Sequence, residues 1–139
     1  MEVAPYLMFS GNCREAFAFY EKALGGKLDL MTFGQSPEAG KMPAAMQNQV
    51  IHARLAAGSG VIMGSDCPPE HYLRPQGISV SIGTKDPAET ERIFNALADG
   101  GQVQMPLQQT FWSAKFGMLQ DKFGISWMVN CAQAAQAAS

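Results

Sequence analysis

The segment "NCREAFAFYEKALGG" (residues 12–26) has the pattern of a short amphipathic helix with both ends marked. Asn12 is typical of a helix N-cap, and Glu15 follows three residues later as its capping-box partner. The pair Gly25-Gly26 marks the end of the helix. Apolar side chains recur at helical spacing at Ala16, Phe19, Tyr20 and Ala23. We therefore predict a helix here that buries this stripe.

The same plan occurs a second time in "DPAETERIFNALADGG" (residues 86–101). Asp86 is the predicted N-cap, Pro87 occupies the first helical position and Glu89 follows three residues after the cap. The landmarks of the two segments superpose at one shift, since 86 − 12, 89 − 15 and 100 − 26 all equal 74. The apolar stripe becomes Ile93, Phe94, Leu97 and Ala98. The chain therefore contains an internal repeat.

Strand candidates flank each of the two predicted helices. The first helix lies between residues 5–10 and 27–33, and the second between residues 78–83 and 102–107. The later strands, in residues 51–66 and 115–130, match at a shift of 64, because Gly60 falls on Gly124. The first half therefore has ten more residues (74 − 64 = 10). They fall in "GQSPEAGKMPAAMQNQ" (residues 34–49), which we predict to be a long mobile loop.

These elements predict an α+β fold made of two tandem βαβββ modules. Module one spans about residues 3–67 and module two about residues 77–131, joined by a linker with three prolines, "SDCPPEHYLRPQG" (residues 65–77). Each module alone leaves one sheet face uncovered, so we expect both to combine in a single domain of residues 1–139. The expected architecture is a mixed sheet curled into a cup, with the helices outside.

Composition excludes several classes of partner. With 10 Lys and Arg against 12 Asp and Glu, the chain has no positive field for nucleic acid. No apolar stretch approaches the length of a membrane helix, and the start lacks the pattern of a signal peptide. We therefore expect a cytoplasmic protein. The three cysteines indicate neither a disulfide framework nor a zinc site. Cys13 lies at a predicted helix start, where the helix dipole would lower its pKa. The simpler interpretation is that Cys13 is a packed thiol.

The repeat and its motifs resemble the vicinal oxygen chelate superfamily, which has the glyoxalase and bleomycin-resistance fold. The motifs are "FYEKALGGKL" (residues 19–28) after the first strand and "DKFGISW" (residues 121–127) before the last. Residues 5–20, 61–69 and 109–130 are similar to the PhnB-like branch, sometimes labelled demethylubiquinone methyltransferase-like. The resemblance covers essentially the whole chain.

The resemblance implies where a metal would bind. Metal-using members carry a His, Gln or Glu on the first strand and a Glu on the last strand of each half. The matching positions here are Pro5 and Ser79, or its neighbour Ile78, on the first strands, and Gly64 and Met128 on the last strands. None of these supplies a ligand for a hard cation, so we predict no metal and no cofactor. An alternative is an off-register metal bound by Asp66 and His52.

Several residues are candidates for ligand binding. His52 and Arg54 share one strand face and could bind an anion or transfer a proton, or form an ordinary polar surface. Phe111 and Trp112 could stack on a planar ligand at the cup mouth, or cover the core or a dimer contact. The expected cup-facing set is Leu7, Phe9, Ile62, Gly64, Asp66, Ser79, Ser81, Ser126, Met128 and Asn130.

These observations favour a protein that binds an unidentified small organic molecule in its cup, without the superfamily metal. The resemblance also implies a homodimer. The alternative is a metal-dependent lyase, isomerase or dioxygenase of the same superfamily. The methyltransferase label has no support in the sequence, because the Gly-Gly pairs end helices rather than begin them, whereas an adenosyl methyl donor ordinarily binds at a Gly-rich turn before a helix.

Overall fold

The computed structural model describes residues 1–37, 39–41 and 43–132. The chain divides into two compact units, with the boundary between Leu73 and Arg74. This boundary lies inside the predicted proline-containing linker. Each unit has the predicted strand, helix, strand, strand, strand order, so the α+β tandem repeat is confirmed.

Unit one is a four-stranded mixed sheet with one helix. Its elements are β1 (Tyr6–Phe9), α1 (Cys13–Leu24), β2 (Lys27–Thr32), β3 (Val50–Ala57) and β4 (Gly60–Asp66). The strand order is β1-β4-β3-β2, with β1 parallel to β4 and the other pairs antiparallel. Helix α1 is the connection that allows the first strand to lie parallel to the last.

Unit two repeats this topology. Its elements are β5 (Val80–Thr84), α2 (Pro87–Ala98), β6 (Gln102–Gln108), β7 (Ser113–Gln120) and β8 (Ser126–Ala132). The strand order is β5-β8-β7-β6, with β5 parallel to β8 and the other pairs antiparallel. The two sheets therefore have equivalent strand orders, as the internal repeat requires.

Helix α1 packs on its sheet through aromatic side chains. The ring of Phe17 contacts Phe9 of β1 and Tyr20 edge to face, with centroids 6.1 and 5.6 Å apart. Phe17 is fully buried, whereas Phe19, which the sequence placed in the apolar stripe, is only partly buried. Phe17 follows the buried Cys13 by four residues and precedes the buried Tyr20 by three, so it lies on the same face of the helix as both.

Asp66, at the end of β4, provides the cap of α1. Its Oδ1 accepts hydrogen bonds from the amides of Gly11 (2.9 Å) and Cys13 (3.0 Å), and its Oδ2 accepts one from the amide of Val50 (2.9 Å). The side chain of Asn12, the predicted N-cap, makes no capping hydrogen bond. Because a buried carboxylate needs such partners, Asp66 fixes the end of β4, the start of α1 and the start of β3 at one point.

Asp121 has a corresponding structural role in unit two. Its Oδ1 accepts hydrogen bonds from the amides of Phe123 (2.8 Å) and Ile125 (3.0 Å), and its Oδ2 accepts one from the indole of Trp127 (2.8 Å). Trp127 is fully buried on the helix side of the sheet. Helix α2 buries Ile93, Phe94 and Leu97 against this sheet. The turn between β7 and β8 is therefore built around a buried carboxylate.

The predicted facing of the first unit's strands is wrong. A Cβ placed on Gly64 would lie 2.7 Å from the ring of Phe17, so Gly64 faces α1. Its cross-strand partner Leu7 is buried on the same side, as are the other members of the expected cup-facing set from this unit: Phe9, Ile62 and Asp66. In unit two, Ser126, Met128 and Asn130 alternate with buried residues that face α2, so they point away from the helix; that they line a cup stays a prediction.

One residue in each connection explains this error. In unit one, α1 begins four residues after the last residue of β1 (13 − 9). In unit two, α2 begins three residues after the last residue of β5 (87 − 84). The hairpin turns also differ in length. Across the β3–β4 turn, the paired residues Ala56 and Val61 are five positions apart (61 − 56), whereas across the β7–β8 turn the paired residues Gln120 and Ser126 are six positions apart (126 − 120). A slip of one residue moves a strand's side chains to the opposite face of the sheet. The single shift of 64 for both later strands was therefore wrong for β4 and β8.

The described residues between β2 and β3 include short turns of helix where the sequence predicted a mobile loop. Three short 3-10 turns occur at Phe33–Gln35, Ala39–Lys41 and Ala44–Met46. The amide of Phe33 donates to the carbonyl of Gln49 (2.9 Å), and that of Gly34 donates to the carbonyl of Gln47 (2.8 Å). These two hydrogen bonds join the ends of the predicted loop.

Burial decides the state of Cys13. All three cysteines are free thiols in buried positions, in agreement with the absence of a predicted disulfide framework. Burial of Cys13, together with the adjacent charge of Asp66, raises its pKa from 9.0 to about 12. The pKa is thus raised and not lowered, since desolvation of the thiolate outweighs the helix dipole. Cys13 is a packed thiol.

Candidate ligand-binding faces

The sheet of unit two has one face that packs on α2 and one that points away from it, here called the second face. A Cβ on Gly117 would lie 2.7 Å from the ring of Phe94, so Gly117 faces α2 and its neighbours point the other way. Strand pairing then places Met118 beside Met128 and Met105, and Phe116 beside Asn130. The second face comprises Ser81, Gly83, Met105, Phe116, Met118, Ser126, Met128 and Asn130.

Three aromatic rings lie in series at the β6–β7 end of the second face. Phe111 contacts Trp112 and Trp112 contacts Phe116, both edge to face, with centroid distances of 4.8 and 5.5 Å. Phe111 is 90% exposed and Trp112 is 41% exposed. The buried hydroxyl of Ser113 lies 2.6 Å from the carbonyl oxygen of Cys131, which fixes the start of β7 and the turn that carries the two exposed rings.

Asn130 provides a polar group among these apolar side chains. Its cross-strand partners are Gly83 on β5 and Phe116 on β7. Within the described part of the chain, its buried Oδ1 has no hydrogen-bond partner. A Cβ placed on Gly83 would have no atom within 4 Å, so there is space beside the carboxamide.

The corresponding surface of unit one, here called the first face, is more polar. The hydroxyl of Tyr6 and Nδ1 of His52 share a hydrogen bond of 3.3 Å, and the two rings lie 5.9 Å apart. Arg54, predicted to share a face with His52, does so, and its cross-strand partners are Asp29 and Met63. The first face therefore combines a Tyr–His pair with charged and thioether side chains.

The predicted ligand-binding residues do not form a single group. His52 and Arg54 lie on the first face, and Ser126 and Met128 lie on the second, with Phe111 and Trp112 at its end. Ser79 is exposed just before β5. Asp66 belongs to neither face, because it is 4% exposed and both its oxygens bind backbone amides.

Sequence reasoning did not identify Tyr6, Met105, Phe116 and Met118 as site residues. Phe116 and Met118 alternate with Gly117 and Leu119 along β7, which is the period that separates the two faces of a strand. That alternation could have identified them. The partnership of Tyr6 with His52 has no local signal, since the residues are 46 positions apart.

The residues present do not fit the metal of the superfamily. With the corrected register, the last strand of unit one places Met63 on the first face, and its partner on the first strand is Tyr6. The last strand of unit two places Met128 on the second face, and its partner on the first strand is Ser81. Thioethers are poor ligands for the hard cations and for zinc. The alternative pair of Asp66 and His52 cannot share one ion, because they lie on opposite faces of the sheet. Among the described residues, no group of three or more His, Cys, Asp or Glu side chains could hold a metal.

A shallow polar depression lies at another place on unit two. It has a volume of about 320 Å³ and is lined by Arg74, Gly100, Gly101, Gln102, Gln120, Asp121, Lys122 and Gly124. The carboxylate of Asp121 is already engaged by the three donors of its turn. Since this depression has no aromatic lining, it differs in chemistry from the second face.

Comparison with known proteins now identifies the family. Residues 1–130 match the family described as 3-demethylubiquinone-9 3-methyltransferase. The chain belongs to this family. It is 34% identical to protein YjdN of Escherichia coli K12, over 94% of this chain and 95% of that protein. The predicted membership of the PhnB-like branch is confirmed.

Solved structures of the family are also similar. Protein PA1353 from Pseudomonas aeruginosa is 51% identical, with a TM-score of 0.86 over 96% of this chain and 98% of that one. A protein described as a putative 3-demethylubiquinone-9 3-methyltransferase, PhnB protein, from Bacillus cereus is 27% identical, with a TM-score of 0.75 over 95% and 100% of the two chains.

A more distant structure shows the fold alone. A glyoxylase/bleomycin resistance protein/dioxygenase domain from Frankia is 12% identical, with a TM-score of 0.64 over 96% of this chain and 98% of that one. The predicted glyoxalase and bleomycin-resistance fold is therefore confirmed. No helix in the described part of the chain has the length and apolar character needed to cross a membrane.

The residues do not fit the methyl donor that the family description implies. Such a donor ordinarily binds where a strand leads through a Gly-rich turn into a helix, at free backbone amides. In unit one, Asp66 already accepts the amides of Gly11 and Cys13 at this turn. In unit two, the equivalent turn contains Pro87, which has no amide hydrogen, and Asp86 accepts the amide of Ala88. Both helix starts are thus occupied by the protein's own carboxylates.

Proposed function

We propose that this protein binds a small planar organic molecule on the second face, without the superfamily metal. The observation that carries the proposal is the series Phe111, Trp112 and Phe116 beside the methionines of that face. A binding surface for a small molecule is usually apolar and aromatic, with few polar groups. The second face has this composition, with Asn130, Ser81 and Ser126 as its polar members.

The exposure of the rings supports ligand binding over a purely structural role. Trp127 shows what a core tryptophan looks like in this chain, since it is 1% exposed and its indole nitrogen donates to Asp121. Trp112 is 41% exposed and contacts the rings of Phe111 and Phe116 edge to face. Much of its surface is therefore available for stacking on a planar partner.

The methionines suit a ligand-binding wall. Met105, Met118 and Met128 are cross-strand partners on three neighbouring strands, and each is partly buried. Methionine side chains are flexible and polarisable, so a surface built from them adapts to ligands of different shape. This is the chemistry expected of a protein that sequesters organic molecules rather than one that positions a metal.

A titration with 2-methoxynaphthalene, an uncharged planar probe, tests the proposal by ligand-observed NMR. Trp112→Ala should weaken binding by about 5- to 150-fold, the range reported for loss of one aromatic stacking partner. The matched control is Tyr6→Ala, which removes a 44% exposed aromatic side chain from the first face and should leave binding unchanged. Thermal unfolding of each variant checks that the fold is intact.

Two results would overturn the proposal. One is the absence of probe binding to the unmodified protein. The other is binding that Tyr6→Ala reduces and Trp112→Ala does not, which would move the site to the first face beside His52 and Arg54.

A further inference from the structure

The second face contains a hydrogen-bond acceptor that the described residues leave without a donor. Oδ1 of Asn130 is buried, and no described group donates to it. Buried polar atoms in folded proteins almost always have a partner, because an unpaired one loses its hydration without compensation. This carboxamide lies among apolar side chains, on the face that we propose as the ligand site.

The space next to this acceptor is on the β5 side. Gly83 is the cross-strand partner of Asn130, and a Cβ built on it would meet nothing within 4 Å. On the other side of Asn130, the ring of Phe116 is the cross-strand partner. The carboxamide therefore lies between an aromatic ring and the open space over Gly83.

We infer that the ligand carries a hydroxyl or amino group on its ring, and that this group donates a hydrogen bond to Oδ1 of Asn130. The inference rests on the proposed function, and it narrows the ligand class to phenols and aromatic amines. The substituent occupies the gap over Gly83 while the ring lies against Phe116. The terminal torsion of an asparagine is broad, so the carboxamide turns its oxygen toward this gap at little cost.

Selectivity follows from the unpaired acceptor. A ring whose substituent lacks a donor leaves Oδ1 unpaired, so the site should bind such a ring more weakly than a ring that carries a donor.

The test compares 2-naphthol with 2-methoxynaphthalene at pH 7, with affinities from ligand-observed NMR titrations. The two probes share one ring system, and 2-methoxynaphthalene carries a methyl group in place of the hydroxyl hydrogen of 2-naphthol. The unmodified protein should bind 2-naphthol about 5- to 10-fold more tightly, the effect of one hydrogen bond to a buried group. Asn130→Leu should abolish this preference, whereas the matched control Asn95→Leu, on the exposed side of α2, should retain it.

Gly83→Val provides an independent variant that does not alter the acceptor. Its side chain fills the gap, so both affinities should fall, while Gly60→Val in unit one should change neither. Equal binding of the two probes, with both weakened by Trp112→Ala, would overturn the inference and leave the proposed function standing. A preference for 2-naphthol that persists in Asn130→Leu would also overturn it. Binding of neither probe would overturn the proposed function and the inference together.

Discussion

Asp66 and Asp121 show how single buried carboxylates organise the two units. Each accepts three hydrogen bonds, and each lies where a strand meets a turn or a helix. The sequence predicted Asn12 as the cap of α1, and it placed Asp66 in the cup-facing set and as an alternative metal ligand. In the structure Asp66 has the capping role. No local pattern could predict this, because Asp66 lies 55 residues after Gly11 in the sequence.

Replacing Asp66 with Asn should lower the free energy of unfolding by about 3 kcal/mol, since charge-assisted hydrogen bonds from buried amides are lost and an amide donor meets other donors. Urea denaturation measures the change. Asp29→Asn is the matched control, because Asp29 is exposed on β2 and should change stability by less than about 0.5 kcal/mol. Equal effects of the two substitutions would show that Asp66 does not cap α1 in this way.

Cys13 makes stability depend on alkaline pH. Its pKa is raised from 9.0 to about 12 in the folded protein, so folding favours the protonated thiol. This stabilisation is fully present below pH 9 and is lost as the pH rises toward 12. We expect unfolding free energies to fall over this range, and to fall less steeply in Cys13→Ala. A pH profile identical in both proteins would contradict the assignment.

At the scale of secondary-structure elements, the helices and the strand order were predictable and the strand faces were not. Helix caps, glycine stops and apolar stripes are local signals, and they located α1 and α2 correctly. The facing of β4 depends on the length of a hairpin turn that differs by one residue between the units. Both turns contain glycine, so aligning the glycines concealed that difference.

Gly64 lies on the side of β4 that packs against α1, and a substitution there tests this orientation. A Cβ at this position would lie 2.6 Å from the carbonyl oxygen of Leu7 and 2.7 Å from the ring of Phe17. Gly64→Ala should therefore destabilise the protein by about 1–3 kcal/mol through overpacking. The matched control is Gly60→Ala on the same strand, where the nearest atom is at an ordinary 3.6 Å. Thermal unfolding distinguishes the two, and a neutral Gly64→Ala would place this side of β4 away from α1.

The candidate site was predictable only in part for a related reason. Phe111 and Trp112 are conspicuous in the sequence as adjacent aromatics before a strand, and the structure joins them to Phe116. Met105 and Met118 become part of a surface only through pairing with Met128 across three strands. Such cross-strand neighbours are fixed by register, which depends on bulges that the sequence does not reveal.

At the scale of the whole molecule, we propose that the chain forms a homodimer. In the described part of the chain, each four-stranded sheet has two edge strands, β1 and β2 in unit one and β5 and β6 in unit two, and each of these pairs with one strand of its own sheet. Exposed edges of this kind are commonly covered or used for association. Sedimentation equilibrium at micromolar concentration should give the mass of two chains. The mass of one chain would contradict the proposal.

The central claim is that a planar organic molecule binds to the second face, and methionine methyl NMR measures this most directly. Protein labelled at the methionine methyl carbons is titrated with 2-methoxynaphthalene, and the signals are assigned by single Met→Leu variants. Ring currents of the bound probe should shift the methyl signals of Met105, Met118 and Met128, whereas those of Met8, Met31 and Met63 in unit one should stay in place. Shifts confined to the methionines of unit one, or no shift at saturating probe, would contradict the account.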